Sequence, residues 1–307
     1  MLPFTLQQLR ILKAIATEKN FTKAAELLYL SQPSLSKQIK ALEKNLDILL
    51  LNREGNKISL TENGKVFLHY SERILALCEE SCRALIDLKN GERGHLNVGA
   101  SQTIGTYLLP RVLALFAQNY PQINLKVQVD SSRIIAKNIL NREIDIAVVG
   151  GEIPFELKKK LTIEYFVEDE FSLIIPKSHP FARKKKITKE DLYYLNFITL
   201  HSNSTIRKFI DNILIQNKID IQQLKIIMQL NSIEGIKTAV SLGLGAAFVS
   251  SSAIEKEMQL KTIEILKIKN ICITRTLSII SNPECYKSKA FQFFSMELKK
   301  LKNEIKN

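Results

Sequence analysis

The sequence has no run of about 18 uninterrupted apolar residues, so it offers no membrane-spanning helix. Its first residues, MLPFTLQQLR, lack the long apolar core of a signal peptide and lead straight into a helical pattern; the chain is expected to stay where it is made. Cysteine is scarce. Cys78, Cys82, Cys272 and Cys285 include no C-x-x-C pair, which argues against a zinc or dithiol site and leaves reduced, buried thiols as the expectation. His69, His95, His179 and His201 are scattered and suggest no metal cluster. No G-x-G-x-x-G fingerprint, nucleophile elbow or paired histidine–acid motif is present, so the sequence supports neither catalysis nor a resident cofactor. Gly243-Leu244-Gly245-Ala246-Ala247 reads instead as a helix-to-strand turn. Low-complexity tracts and short internal repeats are also missing.

What is present is a soluble, globular composition: 307 residues, 45% apolar and 24% charged, long enough for two or three domains. The net charge of +13 suits attraction to nucleic acid but does not locate a site. Residues 1–60 hold nine Lys/Arg against five Asp/Glu, a balance of only +4. The excess lies downstream, as in Lys158-Lys159-Lys160 and Arg183-Lys184-Lys185-Lys186. Abundant Lys, Ile and Asn are favoured by AT-rich codons, and compositional drift accounts for much of the basicity.

The most informative stretch is FTKAAELLYLSQPSLSKQIKALE, residues 21–43. Asn20 can cap a short helix whose small Ala24 and Ala25 let a second helix cross closely. Tyr29-Leu30-Ser31 interrupts the pattern, Ser31 suits an N-cap, and Pro33 falls in the following first turn, where a missing N–H costs nothing. Leu35, Ile39 and Leu42 recur at helical spacing and face inward. Gln32, Ser34, Ser36, Lys37 and Lys40 are left outward, short polar groups and cations suited to base edges and phosphates; Pro33 lies beside them. This is the form of a helix-turn-helix preceded by a helix over 4–18. The apolar run ILLLNREGNKISL over 48–60 then predicts a β-hairpin, whose Arg53 and Lys57 sit where a wing touches backbone or minor groove.

From residue 61 a helix of roughly 40 Å is expected to run to about residue 90. Phe67, Tyr70, Ile74, Leu77, Ser81, Leu85 and Leu88 form a seam that calls for a second copy, with packing on the chain's own C-terminal domain as the alternative. Gly91-Glu92-Arg93-Gly94 is the best domain boundary. Beyond it strands are expected over 95–100, 123–129, 144–149, 171–175, 197–200, 225–230, 246–249 and 277–280. Helices include 105–118, 133–141, 205–216 and 233–242. In such α/β organisation ligands bind at strand carboxyl ends. Small polar residues stand there: Ser101-Gln102-Thr103, Ser131-Ser132, Ser202-Asn203-Ser204-Thr205 and Asn231-Ser232, with Arg133 and Arg207 one turn inside two helices. Each alone is best explained as a helix cap. Four such segments converging on one face point to a pocket for a small anion.

FTKAAELLYLSQPSLSKQIKALEKNL followed by ISLTENG resembles the winged helix-turn-helix of the LysR-type transcriptional regulators, and the resemblance extends over nearly the whole chain. LPFTLQQLRILKAIA, LALCEESCRAL, VGASQTIGTYLLPR, STIRKFID, NSIEGIK and GLGAAFVS resemble the subgroup that controls Rubisco genes in cyanobacteria, other autotrophs and red-lineage plastids. The implied architecture is α/β: a winged helix-turn-helix (4–62), a dimerising linker helix (61–90) and a two-lobed Rossmann-like, periplasmic-binding-protein-like effector domain (95–307). Lobe I is expected to comprise 95–165 plus 268–307, and lobe II 166–267. The resemblance further implies a homodimer or homotetramer on double-stranded promoter DNA that acts with RNA polymerase. A small anionic effector, a Calvin-cycle metabolite or NADPH, would enter the cleft and alter DNA bending. Gln32, Pro33, Ser36, Lys37, Arg53 and Lys57 match family DNA contacts; Ser101, Thr103, Ser131, Ser202 and Thr205 match hydroxyls lining effector pockets. Two departures stand out. Lys37 replaces a usual Arg, exchanging a bidentate fork for a point charge, and Leu51 replaces a usual Phe before the wing arginine. The plastid stroma is the implied location for a plastid-encoded chain, and the cytoplasm for one from an AT-rich bacterium. Regulation of nitrogen or amino-acid metabolism is the alternative within the family. A small-anion binding protein or enzyme on the two-lobed fold is the alternative outside it.

Overall fold

The computed structural model describes residues 2–54, 57–90, 94–184 and 186–306; the side chains of residues 53, 54, 57, 86–90 and 306 lie outside the described set. The sequence begins with α1 (Leu6–Glu18), where Thr5 and Gln8 form a reciprocal capping box. Next comes α2 (Phe21–Leu27), capped by Asn20, whose carboxamide accepts from the Thr22 and Lys23 N–H groups. The third helix, α3 (Gln32–Leu46), is capped by Ser31, with Pro33 in its first turn and Asp47 in the left-handed region closing it. Ile11, Ile15, Ala24, Leu35, Ile39 and Leu42 are completely buried among these helices, each contributing about 1.5–3 kcal/mol for the larger side chains.

A hairpin of β1 (Leu51–Glu54) and β2 (Lys57–Leu60) follows, in the register Arg53↔Ile58. Buried Glu43, near the end of α3, accepts the N–H groups of Leu50 (2.9 Å) and Leu51 (3.1 Å), tying hairpin to helix. The linker helix is α4 (Glu62–Asn90). Its Ser71, Leu75 and Ala76 are buried against its own chain, and Phe67 meets Phe4 edge-on at 5.5 Å. Tyr70, Leu77 and Leu85 of the expected seam are exposed, as is Val66. One face of this helix is therefore packed on its own chain, while these seam residues stay exposed; Leu88 and Gly91-Glu92-Arg93 lie outside the described side chains and residues.

The remaining chain forms two lobes. The first holds β3 (Gly94–Ser101), a π-helical turn (Ile104–Leu108) leading into α5 (Leu109–Asn119), β4 (Ile123–Asp130), α6 (Ser132–Leu140), β5 (Ile146–Val149) and α7 (Phe155–Lys158). The long β6 (Thr162–Pro176) leaves for the second lobe, made of β7 (Lys186–Ile187), β8 (Asn196–Leu200), α8 (Thr205–Gln216), β9 (Lys225–Leu230), α9 (Ile233–Ser241), β10 (Ala247–Ser250), α10 (Glu255–Gln259) and β11 (Ile263–Ile268). Strand β12 (Ile273–Ser281) returns, and α11 (Lys289–Lys306) closes the first lobe. β3 is parallel to β4 and β5, the chain crossing back between strands through α5 and α6. β12 runs antiparallel to β5 and to β6, from Ile273↔Phe171 to Ser281↔Thr162, while the far end of β6 pairs with β10 and β11.

Val98, Phe116, Val148, Phe166, Phe294 and Leu298 share the first lobe's core. Leu173, Ile175, Phe197 and Ile210 share the second's. The strands expected over 171–175 and 277–280 are thus the ends of much longer ones, and β11 is a strand not anticipated from sequence.

Linker helix and first lobe are held together by charge. Glu80 on α4 pairs with Arg142 and accepts the Tyr286 N–H at 2.6 Å; Arg83 lies 3.9 Å from Asp145. Cys285 sits in this contact, and burial together with the Glu80 carboxylate pushes its thiol up to about 11. All four cysteines are free. Cys82 and Cys272 are exposed and Cys78 and Cys285 half-buried, which corrects the expectation of buried thiols.

Candidate nucleic-acid interface and ligand cleft

The recognition helix presents Gln32, Pro33, Ser34, Lys37 and Lys40 as exposed residues along one face, with Ser36 half-buried at its edge. Leu35, Ile39 and Leu42, completely buried, fix that face's direction. The Ser34 N–H is taken by the Ser31 hydroxyl (3.3 Å). Arg53 and Lys57 stand on the wing strands, but their side chains and the turn at residues 55 and 56 lie outside the described set. The structure adds Tyr29, which sequence reasoning treated only as a helix breaker. In the left-handed turn before α3 (φ 54°), it is 97% exposed. The signal was an aromatic placed where the apolar periodicity fails.

The second candidate site is a cavity of about 740 Å³ between the lobes. Ser101, Gln102 and Thr103 line it from the end of β3, and Ser131 from the end of β4. Ser204 and Thr205 line it from the start of α8. Ser202 and Ser232 are not brought to the wall; Ser232 caps α9, accepting the Gly235 N–H at 3.2 Å. Capping also engages Ser131 and Ser204, through the N–H groups of Ile134 and Arg207. Ser101 accepts the Gly150 N–H at 3.2 Å. The Thr103 hydroxyl differs: it is buried and without a hydrogen-bond partner, a state that costs about 1–3 kcal/mol unless something fills it.

The cation at this cleft is Arg275 on β12, rather than Arg133, which is exposed elsewhere, or Arg207, which is bound to Asp211 at 2.7 Å. Arg275 is buried over the Phe171 ring and grips Asp169 of β6 through Nε (2.9 Å) and Nη2 (2.7 Å). Asp169 also accepts the Ser250 hydroxyl at 2.5 Å. The pair lies on the two strands that join the lobes. Asp130 contributes a carboxylate to the cleft rim, already accepting the Ser131 N–H at 2.6 Å.

A clasp crosses the cleft nearby. Lys237 on α9, almost wholly buried, donates to the Ala253 carbonyl (2.7 Å) and pairs with Glu234 (2.9 Å) and Glu257 (3.0 Å). It also faces the Tyr107 ring of the first lobe, and the Tyr107 hydroxyl bonds Glu234. Burial, then the Glu234 contact, raises the Tyr107 pKa above the ordinary phenol value. Burial alone would raise Glu234, but Lys237 and Tyr107 outweigh it and the net shift is downward. A lowered carboxylate contributes stability that is full above its unfolded value and lost as pH falls through its folded one. A raised phenol contributes stability that is full below its unfolded value and lost as pH rises through its folded one. The clasp is therefore expected to hold between about pH 5 and pH 10. In melts across a pH series, Tyr107→Phe should remove its part of the alkaline decline; identical alkaline limbs would rule the clasp out.

A sequence model of the LysR substrate binding domain matches residues 89–301, and one of the bacterial regulatory helix-turn-helix protein, lysR family, matches residues 6–65. The chain belongs to the LysR family of transcriptional regulators. This LysR-type, DNA-binding regulator is 87% identical over 307 residues to a protein of Phaeodactylum tricornutum (strain CCAP 1055/1) named Probable RuBisCO transcriptional regulator, with 100% of both chains covered. A protein of the same name from Synechocystis sp. is 53% identical over 297 residues, covering 97% of this chain and 86% of that one. Among solved structures, full-length CbnR complexed with its target DNA superimposes with a TM-score of 0.71 at 20% identity, covering 97% of this chain and 100% of that chain. A full-length OxyR from Pseudomonas aeruginosa gives 0.71 at 23%, covering 96% and 95%. These two share the fold of this LysR regulator: an N-terminal helix-turn-helix domain and a two-lobed substrate-binding domain. Among its described residues, no helix is long and apolar enough to cross a membrane.

Proposed function

We propose that this LysR regulator controls Rubisco or other carbon-fixation genes and that a small anionic metabolite in the interlobe cleft sets its activity. Full-length identity of 87% to a Probable RuBisCO transcriptional regulator carries the choice of regulon. The anion reading is supported by the unpartnered Thr103 hydroxyl and by Arg275 on the same cavity wall, with Ser101, Ser131, Ser204 and Thr205 around them. A Calvin-cycle phosphate ester or NADPH has the required charge. The effector must bind the open and closed lobe arrangements unequally to change DNA binding. Val66, Tyr70, Leu77 and Leu85, exposed along α4, are assigned to pairing with a second copy, so that two recognition helices engage two half-sites. Transcription then depends on how the bound homodimer or homotetramer meets RNA polymerase. The relatives' range suits a plastid stroma or a cyanobacterial cytoplasm.

Footprinting of the purified protein on the Rubisco promoter of its own genome, with and without NADPH and ribulose bisphosphate, tests this. A protected pair of half-sites that shifts with one metabolite is the expected result. Protection elsewhere but not there would discard the regulon and keep the family. Lys37→Ala is expected to weaken the specific footprint by about tenfold and to reduce the salt slope by about one. Unchanged affinity and slope would remove Lys37 from the interface.

A further inference from the structure

A second cavity of about 740 Å³ lies where the linker helix meets the first lobe, away from the interlobe cleft. Arg73 of α4 lines one wall; Lys137, Arg142, Lys159 and Lys160 of the first lobe line the others, against one carboxylate among the described residues, that of Glu284. Arg73, Lys137 and Lys160 are exposed and, among the described residues, carry no ion pair. Lys159 faces the Phe155 ring, at 4.3 Å. Arg142 is shared: it lines this cavity while pairing with Glu80, the residue that fastens α4 to the first lobe.

We propose that this cavity binds a small molecule carrying two or more phosphate groups, and that its binding loosens the linker helix from the first lobe. Like charges gathered from two elements repel one another until an anion joins them, and one carboxylate cannot meet cations on opposite walls. A bisphosphate or diphosphate, with several charged oxygens spread over a few ångströms, can do so. The same anion competes with Glu80 for the Arg142 guanidinium. Each phosphate bond gained there weakens the contact that sets the angle between DNA-binding domain and lobes. Coupling to DNA follows because the ligand favours the released arrangement. This site is independent of what occupies the interlobe cleft.

Calorimetric titration of the full-length protein with inorganic pyrophosphate tests the proposal. Saturable binding is expected in the wild type and, with the same affinity, in Thr103→Val, which alters only the interlobe cleft. Lys137→Ala with Lys160→Ala should weaken it at least about tenfold. Arg73→Ala, on the opposite wall, repeats the test with a different exposed side chain. Hydrogen exchange at the Tyr286 amide, which Glu80 accepts, should speed up on binding. The proposal is overturned by an absence of saturable binding, or by weakening in Thr103→Val rather than in the lysine pair. It is equally overturned if the lysine pair loses DNA affinity while pyrophosphate affinity stays, which would place these cations on DNA.

Discussion

Gly64→Ala is expected to abolish specific DNA binding and to destabilise the N-terminal domain by about 3 kcal/mol, the upper end for forced overpacking. A Cβ at this position lies 2.0 Å from the Leu50 carbonyl oxygen and 3.0 Å from its carbon. That carbonyl is backbone and is not free to move. It accepts the Thr61 N–H at 3.0 Å, while the Thr61 hydroxyl donates to Leu49 (2.8 Å) and accepts from the Gly64 N–H (2.9 Å). On the other side the Leu50 and Leu51 N–H groups are held by buried Glu43 of the recognition helix. The first turn of α4, the wing and α3 therefore meet within one close backbone contact, and a single methyl group must separate them. Urea denaturation followed by hydrogen exchange over residues 35–60, with promoter binding in parallel, measures both effects. An alanine variant with the wild-type midpoint and affinity would show that the contact relaxes at no cost.

Arg275→Met is expected to cost the effector domain about 3–5 kcal/mol, the usual penalty for leaving one member of a buried ion pair alone. Asp169 would keep only the Ser250 hydroxyl and would stay buried at the strands joining the lobes. The response to any cleft-bound anion should vanish with it, because Arg275 is the Lys/Arg side chain on that wall. Basal DNA binding should survive, since the helix-turn-helix has its own core. Adding Asp169→Leu should restore part of the lost stability without restoring the response, a non-additivity expected of a direct pair. A single variant within about 0.5 kcal/mol of wild type would mean that water replaces the guanidinium at no cost.

Local chemistry was the legible part. Thr61, Ser31 with Pro33, and Asn20 announce helix starts because a cap needs only its own neighbours, and the recognition face follows from the burial of Leu35, Ile39 and Leu42. The small polar segments at strand ends were visible for the same reason. What escaped depends on distant partners. Arg275 looks like any exposed strand cation until Asp169, far away in sequence, is found beside it on the neighbouring strand. The charged first half of β6, YFVEDE, hides a strand whose Glu168 and Asp169 are answered by Thr276 and Arg275 across the sheet. Glu43 was invisible as a structural acid, since the N–H groups it accepts lie at the start of the following hairpin and helix spacing alone does not distinguish it from a surface residue. The Glu80–Arg142 contact likewise links two domains that sequence reading treats separately.

The route of the chain through the two lobes also has a consequence for synthesis. The second lobe is spelled out within the first, and Phe294 and Leu298 of the last helix are buried beside Val98 and Phe116 near the first lobe's beginning. On the ribosome, the DNA-reading head and its linker emerge early and can mature alone. The sensor stays open until the final turns are translated. A nascent or prematurely terminated chain thus carries the whole helix-turn-helix core before it carries a closed effector domain, so only translation to the last helix joins the two.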